Sequence, residues 1–392
     1  MSFVEYKYET FTDEGRQRLI DAINGDIERD LYDGAAIKVA HRGKIVVDEA
    51  MGWADRKNGR EQRTNDVFKL LSTTKSFTNV LALQAVDQGR FALTTPIVDI
   101  IPEFWGPDPY LRNRRGKVNV THLFTQTSGI PTTVFPVGGD DLHDMSKVVE
   151  AACKLQIIND PGTVLDYSPT INHSLLGELV KRTDPKGRNY NQIVQEELFD
   201  KLGMTSTFMG PNLKFNDRLV PFTARTGNEF ISDDLLTITT KAIDTPGSEM
   251  PFVGGHSSTR DMLLFAEMLR NWGTANGHNF LSPAILTKAT RVQSGDLLNG
   301  LYSILAGTED WDIPTANYGL GFNIGGGGIK VSIFGTLNNP QAFGGHGAGT
   351  TLWWVDQARE LSFVLLTTRA MNEAKNYIRF QRISDLVLSA LR

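Results

Sequence analysis

The stretch Phe68-Lys69-Leu70-Leu71-Ser72-Thr73-Thr74-Lys75-Ser76-Phe77 carries the strongest chemical signal in this sequence and leads into an apolar segment. Apolar residues recur through residues 72–88 over a surface wide enough to predict a largely buried helix that ends at Gly89. On a helix, Ser72 and Lys75 lie one turn apart on the same face, so the amine can reach the hydroxyl. The pattern therefore predicts a nucleophile together with its base.

The start of a helix also suits this chemistry. Its free N–H groups and positive potential favour a developing alkoxide on Ser72 and disfavour a protonated Lys75. A plain helix cap fits the same residues, and roughly one Ser-x-x-Lys is expected by chance in a chain of this composition. The prediction of a nucleophile depends on the motifs that accompany it.

The two ends of the chain predict a common sheet. Residues 12–31 have the apolar spacing of an opening helix, with Thr12 as its cap. Residues 35–41 and 44–50 predict two strands joined by a tight turn at Arg42-Gly43. Residues 350–355 and 361–367 predict two further strands, and residues 372–391 predict a closing helix.

Helical stretches broken by proline and glycine fill the middle of the chain. We therefore predict an α+β fold, an α/β sandwich with an antiparallel sheet flanked by helices, plus an inserted, mostly helical lobe. The predicted domains are residues 1–90 together with 245–392 for the sheet domain, and residues 91–244 for the helical domain.

Composition excludes several classes of function. The chain has 392 residues and a formal net charge of −5, so no basic surface is available for nucleic acid or an anionic membrane. One cysteine excludes an intrachain disulfide framework and fits a reducing compartment. The first residues contain no apolar segment of signal-peptide type. We predict a cytoplasmic protein with neither a nucleic-acid nor a membrane partner, and make no prediction of its oligomeric state.

Other catalytic motifs fit poorly. Gly-x-Ser-x-Gly, which marks the α/β-hydrolase nucleophile, does not occur. The seven histidines do not have metal-ligand spacing, and we predict neither a metal nor a cofactor. Cys153 lies in an apolar, helix-like run with no paired base nearby, which favours a buried thiol over a catalytic one.

Further motifs follow Ser72 and Lys75 in a fixed order. They are Val120-Thr121-His122-Leu123-Phe124-Thr125-Gln126-Thr127-Ser128-Gly129-Ile130, Pro161-Gly162-Thr163-Val164-Leu165-Asp166-Tyr167-Ser168, Leu202-Gly203-Met204-Thr205, Gly254-Gly255-His256-Ser257-Ser258-Thr259-Arg260-Asp261-Met262 and Gly344-Gly345-His346-Gly347-Ala348-Gly349-Thr350. With them, most of the chain resembles the serine β-lactamase and penicillin-binding-protein superfamily, specifically the class C β-lactamase-like esterases (family VIII carboxylesterase type). The resemblance implies a β-lactamase/transpeptidase-like fold.

The resemblance implies that Tyr167 shares the base role with Lys75, because it occupies the tyrosine position of the family's Tyr-x-Asn motif. A phenol near an ammonium can have its pKa lowered enough to relay protons. Pro169 stands where the motif has its asparagine, and Asn172 is the candidate replacement. Gln126 stands where the family often has histidine, at a position we interpret as structural.

The family's Lys-Thr-Gly motif does not occur in this chain. Its best counterpart is His346-Gly347-Ala348, with the N–H groups of Gly349 and Ser72 as the oxyanion hole. A second alignment uses Phe343-Gly344-Gly345. Glycines allow close backbone approach, so either alignment meets the physical requirement.

These observations favour a serine hydrolase that cleaves a small-molecule ester or amide, with carboxylic esters first. The alternatives are an amidase, D-peptidase, β-lactamase or acyltransferase on the same scaffold, or a non-catalytic scaffold protein. Residues 130–145 and 296–318 predict long loops that could line the cleft, with Trp311 as a candidate for binding an apolar group.

Overall fold

The computed structural model describes residues 10–227, 232–309, 311–313, 315–348 and 351–392. Its main sheet is antiparallel, with the order β10-β11-β12-β13-β1-β2-β3. In chain order, the strands of the described residues are β1 Gly34–His41, β2 Lys44–Asp55, β3 Arg60–Glu61, β4 Phe68–Lys69, β5 Phe208–Met209, β6 Thr223–Arg225, β7 Gly255–Ser257, β8 Thr274–Ala275, β9 His278–Asn279, β10 Asn323–Ile324, β11 Phe343–Gly347, β12 Thr351–Asp356, β13 Leu361–Thr367 and β14 Arg369–Met371.

The predicted hairpin is confirmed. Strands β1 and β2 pair antiparallel, with Val39 opposite Val47. Arg42 and Gly43 both have positive φ angles, 53° and 73°. Two positive φ angles at the turn match the right-handed twist of the flanking strands, which explains why the chain reverses here.

Both faces of the sheet are buried. Side chains alternate along a strand, so Ile37 and Val39 face one apolar core while Ala36 and Ala40 face the other. Strands β12 and β13, predicted from the apolar residues near the C-terminus, pair with each other, and β13 also pairs with β1. The sheet therefore takes strands from both ends of the chain, as predicted.

Helices cover both faces of this sheet. In the described residues they are α1 Asp13–Glu28, α2 Lys75–Asp87, α3 Arg112–Arg115, α4 Val120–Phe124, α5 Met145–Ala152, α6 Ile171–Arg182, α7 Tyr190–Val194, α8 Asp200–Leu202, α9 Asp233–Ile243, α10 Thr259–Arg270, α11 Pro283–Ala289, α12 Gly300–Glu309 and α13 Glu373–Ser389. Helices α1 and α13 pack together over one face, and α10 packs against β13, β12 and β1 on the other. The α+β sandwich is confirmed.

The terminal helices begin where the sequence indicates. Thr12 caps α1 by accepting a hydrogen bond from the N–H of Gly15, and Asn372 caps α13 by accepting one from the N–H of Lys375. No helix in the described ranges combines the length and apolar character needed to cross a membrane.

Between residues 91 and 244 the chain is mainly helical, with the short strands β5 and β6. Strand β5 pairs with β7, and β6 pairs with β14. Both partners lie in the predicted sheet domain, so hydrogen bonds cross the predicted boundary. The division into domains of residues 1–90 with 245–392 and residues 91–244 stays a prediction.

Candidate active site

Ser72 lies in a 3-10 turn, Leu71–Thr74, and α2 starts only at Lys75. The prediction of one helix from residue 72 is therefore wrong at its first turn. The cause is the sharp bend after β4, which puts Leu71 at a φ of +46°, a strained value for a side chain of this size. Residues i and i+3 eclipse one another in a 3-10 turn, so Ser72 and Lys75 still lie on one side.

The amine of Lys75 has three partners. Its Nζ lies 3.2 Å from Ser72 Oγ, 2.8 Å from the carbonyl oxygen of Pro169 and 3.0 Å from that of Phe252. The ring of Tyr167 also lies 5.3 Å from Nζ, measured to the ring centre. A neutral amine has two N–H bonds and one lone pair, so the carbonyls can take the bonds and leave the lone pair for the serine hydroxyl.

Burial favours that neutral form. Lys75 is 5% exposed, and removal from water lowers its pKa from 10.5 to about 7. Within the described residues, no carboxylate forms an ion pair with it. A general base is most effective when its pKa lies near the working pH, which this environment provides.

Tyr167 is the other partner of the nucleophile, and its hydroxyl donates to Ser72 Oγ at 3.0 Å. Its pKa is raised, chiefly by burial and also by the nearby Tyr318 phenol. The expectation of a lowered pKa is wrong, because burial outweighs the hydrogen bond to Ser72 that favours the anion. Tyr167 is therefore a neutral proton donor to the serine.

Gly347 brings the end of β11 against the nucleophile turn. A Cβ atom there would lie 2.3 Å from the carbonyl oxygen of Leu70 and 3.3 Å from the backbone nitrogen of Ser72. The alternative glycine, Gly345, instead faces the Ser76 hydroxyl, 3.1 Å from its own Cβ position. Of the two alignments, His346-Gly347-Ala348 lies beside the Ser72 backbone. Gly349 lies outside the described residues.

His346 is the residue predicted to stand where the family has the lysine of Lys-Thr-Gly. Its Nε2 lies 2.7 Å from the hydroxyl of Tyr377 and 3.7 Å from a carboxylate oxygen of Glu373. Burial, together with the nearby Lys75, lowers the pKa of His346 to about 4. His346 is therefore a neutral imidazole at neutral pH.

Asn172 does not reach the site, contrary to its predicted role in substrate binding. It lies in the first turn of α6, which directs its side chain into the interior. There it accepts a hydrogen bond from Ser128 Oγ and donates one to Gln126 Oε1, each at 2.9 Å. Asn172 is fully buried and lines neither of the cavities at Ser72.

Gln126, interpreted from the sequence as structural, does reach the site. Its Oε1 accepts hydrogen bonds from Asn172 Nδ2 and from the N–H of Ser168, at 2.9 and 3.0 Å. These bonds fix the amide and direct its Nε2 toward Tyr318 and the cavity that contains Lys75. The backbone of Gln126 has a φ of +60°, a strained conformation of the kind often found at functional sites. The departure from the family's histidine was the available signal.

Two cavities meet at Ser72. We name the larger the apolar chamber and the smaller the polar chamber; with their openings to solvent they enclose about 740 and 500 Å³. The apolar chamber is lined mainly by Leu142, Leu235, Leu236, Phe252, Val253 and Leu301. Lys75 and amide or phenol side chains line the polar chamber: Gln126, Asn299, Tyr318, Asn323 and Tyr377. Ser72, Tyr167, Leu301 and His346 border both chambers.

The predicted cleft loops contribute in part. Val134 and Leu142, from residues 130–145, line the apolar chamber, and Leu301 comes from residues 296–318. Trp311 lines neither chamber, so its predicted binding role is wrong. Trp311 instead packs against the apolar core to which α1, α12, α13 and the sheet contribute.

The lone thiol is far from this chemistry. Cys153 caps the end of α5 and is 5% exposed. Burial raises its pKa to about 11, which is the opposite of what a reactive thiolate needs. The preference for a buried thiol over a catalytic one is therefore supported.

Known proteins match this chain along most of its length. The Beta-lactamase family model matches residues 20–387. N-acetylmuramyl-L-alanine amidase of Bacillus subtilis (strain 168) is 24% identical, over 88% of this chain and 79% of that protein. Protein flp of Staphylococcus aureus (strain MW2) is 23% identical, over 52% of this chain, and the match spans only 40% of flp.

Solved structures share the fold. A penicillin-binding protein homologue from Caulobacter crescentus has a TM-score of 0.77 at 20% identity, covering 97% of this chain and 99% of its own. A family VIII carboxylesterase has a TM-score of 0.74 at 19% identity, covering 98% and 99%. The family match over residues 20–387 and the shared fold lead to one conclusion: this chain belongs to the Beta-lactamase family.

Proposed function

We propose that this protein is a serine hydrolase that cleaves carboxylic esters through an acyl-enzyme on Ser72. The observation that carries the proposal is the buried amine of Lys75, 3.2 Å from the serine oxygen and with its pKa lowered to about 7. A buried, uncompensated amine costs stability, and a protein that served only as a scaffold would gain nothing from keeping it.

In the proposed reaction, Lys75 removes the proton as Ser72 Oγ attacks the ester carbonyl carbon. The oxyanion is held by the N–H of Ser72 and, as the sequence predicts, that of Gly349. The ammonium of Lys75 then gives this proton to the departing alkoxide oxygen, while the neutral phenol of Tyr167 stabilises Ser72 Oγ by donating a hydrogen bond to it. Water then enters, is deprotonated by Lys75, and releases the acid.

The choice of ester over lactam or peptide depends on charge. Among the described residues, no arginine lines either chamber, and the His346 imidazole is neutral. A substrate carboxylate would also meet the Glu373 carboxyl group at the apolar chamber. The carboxylesterase structural neighbour is consistent with this choice. An amidase is the second candidate, because the Bacillus subtilis relative carries that name.

The test is hydrolysis of p-nitrophenyl butyrate by the wild type and by Ser72→Ala, with fluorophosphonate labelling and intact mass of each. Removing a catalytic serine typically lowers kcat by about 10⁴-fold or more. Ser76→Ala is the matched control, since Ser76 lies one turn further along, hydrogen-bonded to Trp353 Nε1 and outside both chambers. Loss of turnover and label only in Ser72→Ala supports the proposal. Equal turnover in all three proteins contradicts it.

Nitrocefin and a p-nitroanilide of butyrate separate the two candidates. We expect both to be turned over far more slowly than the ester. Faster amide cleavage would put the amidase first. We further propose a cytoplasmic location, in keeping with the single cysteine.

A further inference from the structure

The two chambers at Ser72 differ in chemistry. Ten of the sixteen residues that line the apolar chamber have hydrocarbon side chains, whereas amides and phenols make up the largest group around the polar chamber. A substrate that spans Ser72 must therefore place an apolar part on one side and a hydrogen-bonding part on the other. Which part is the acyl group depends on the side from which the leaving alcohol receives its proton.

The position of Lys75 decides it. Lys75 lines the polar chamber and is not among the residues that line the apolar chamber. The oxygen of the leaving alcohol must receive the proton that left Ser72, so it must lie on the side of the amine. By microscopic reversibility, the attacking water enters at the same place. The alcohol therefore occupies the polar chamber, and the acyl group stays in the apolar chamber.

The apolar chamber suits an uncharged hydrocarbon chain. Leu235 and Leu236 of α9 and Leu142 from the loop before α5 line it. Each buried methylene strengthens binding by about fourfold.

The polar chamber suits a neutral alcohol with several hydroxyl groups. Gln126 Nε2 is held toward it, and burial keeps the Tyr318 phenol neutral by raising its pKa to about 12. Among the described lining residues no arginine, aspartate or glutamate faces this chamber. An anionic alcohol would have no arginine to pair with there. A cationic alcohol would lie near Lys75 and would have no carboxylate to pair with.

We propose that the substrates are esters joining an apolar acyl group to a neutral polyhydroxy alcohol, of which glycerol is the simplest. This inference rests on the proposed function. In the first step, the bond between Ser72 Oγ and the acyl carbon forms, the bond from that carbon to the alcohol oxygen breaks, and the serine proton ends on the alcohol. In the second, water oxygen bonds to the acyl carbon, the bond from that carbon to Ser72 Oγ breaks, one water proton ends on Ser72 Oγ, and the carboxylic acid leaves.

The experiment compares glyceryl monohexanoate with propyl hexanoate, which has the same carbon skeleton without the two free hydroxyls. Both are used below their aggregation concentration, and hexanoate release is measured. We expect kcat/KM to be at least tenfold higher for the glyceryl ester, because a site built to bind hydroxyls discriminates against analogues that lack them. Equal values, or a preference for the propyl ester, overturn the inference.

Two variants locate the halves of the substrate. Tyr318→Phe should lower kcat/KM for the glyceryl ester about three- to tenfold and leave the propyl ester unchanged. Leu236→Trp should shift the preferred acyl chain to a shorter length without changing the ratio between the two alcohols. If Tyr318→Phe instead changed the preferred acyl length and Leu236→Trp changed the ratio between the two alcohols, the acyl group would lie in the polar chamber and the assignment would be overturned.

Tyr190→Phe is the matched control, since Tyr190 is a buried phenol bonded to Thr78 and lines neither chamber. It should leave the ratio between the esters unchanged. p-Nitrophenyl acetate separates the two levels of failure. If the wild type does not hydrolyse it, the proposed function fails. If it does so but does not distinguish the hexanoates, only the inference fails.

Discussion

Replacing Lys75 with methionine tests the central claim about the base, because it removes the amine but keeps most of the side-chain volume. In the folded protein the pKa of Lys75 is about 7, against 10.5 for an exposed lysine. That difference corresponds to about 5 kcal/mol of lost stability at low pH. Methionine removes this cost but leaves the carbonyls of Pro169 and Phe252 without a donor, at about 1–3 kcal/mol each. A net gain above about 3 kcal/mol is therefore not expected.

The change of folding stability with pH tests the pKa of Lys75 more directly than the stability at one pH does. Since the folded-state pKa of Lys75 is the lower one, the unfolded chain takes up a proton between pH 10.5 and 7 that the folded chain does not. Wild-type stability therefore falls as the pH falls through that window, and Lys75→Met does not share this loss. Raising the pH from 7 to 9 should stabilise the wild type relative to the variant by about 2 kcal/mol.

Two measurements check this reasoning. Urea unfolding of both proteins at pH 7, 8 and 9 gives the stability difference, and kcat/KM for p-nitrophenyl butyrate from pH 5.5 to 9 gives the titration of the base. We expect activity to rise to a plateau with an inflection near pH 7, and Lys75→Met to be inactive. Lys75→Arg, which cannot lose its proton, is the control and should be inactive as well. A stability difference that is constant between pH 7 and 9, with no inflection near 7, would refute the argument.

Three further changes have distinct expected effects. Tyr167→Phe should lower kcat by about 10²–10³-fold with the inflection near pH 7 retained, measured by the pH–rate profile, since the phenol donates and Lys75 titrates. Gly347→Ala should abolish turnover and lower the melting temperature, because the added Cβ would clash with the Leu70 carbonyl oxygen. The control Gly25→Ala, in open space within α1, should raise the melting temperature slightly. Asn172→Leu should lower the free energy of unfolding in urea by about 2–4 kcal/mol, because it breaks two buried hydrogen bonds, yet spare most of the activity per folded molecule.

The sheet and its terminal helices could be predicted because local patterns decide them. Alternation along β1, an Arg42-Gly43 turn and a Thr12 cap each encode structure over a few residues. The start of α2 could not be predicted this way. Leu71 adopts its strained conformation because β12 holds the turn from outside, with Thr351 Oγ1 donating to the Leu70 carbonyl.

In the active site, too, the contacts between residues close in sequence could be predicted and those set by distant parts of the chain could not. Ser72 and Lys75 are close in sequence, so their spacing alone predicts their contact. Asn172 points into the interior from α6 and lines neither chamber. Gln126 holds Asn172 and the Ser168 N–H, as its structural interpretation predicts, and also lines the polar chamber. Trp311 packs against a core formed largely by distant parts of the chain, which its local sequence does not reveal.

Chemistry at this site is set by distant parts of the chain. The carbonyls that hold the amine of Lys75 belong to Pro169, just before α6, and Phe252, just before β7. Both carbonyls can also accept hydrogen bonds from the protonated amine, so these contacts do not by themselves lower the pKa of Lys75. The lowered pKa comes from burial, which requires these segments to close around Lys75 and exclude water. Any change that lets water reach the amine should therefore raise its pKa toward 10.5 and weaken the base without touching the Ser72-x-x-Lys75 motif.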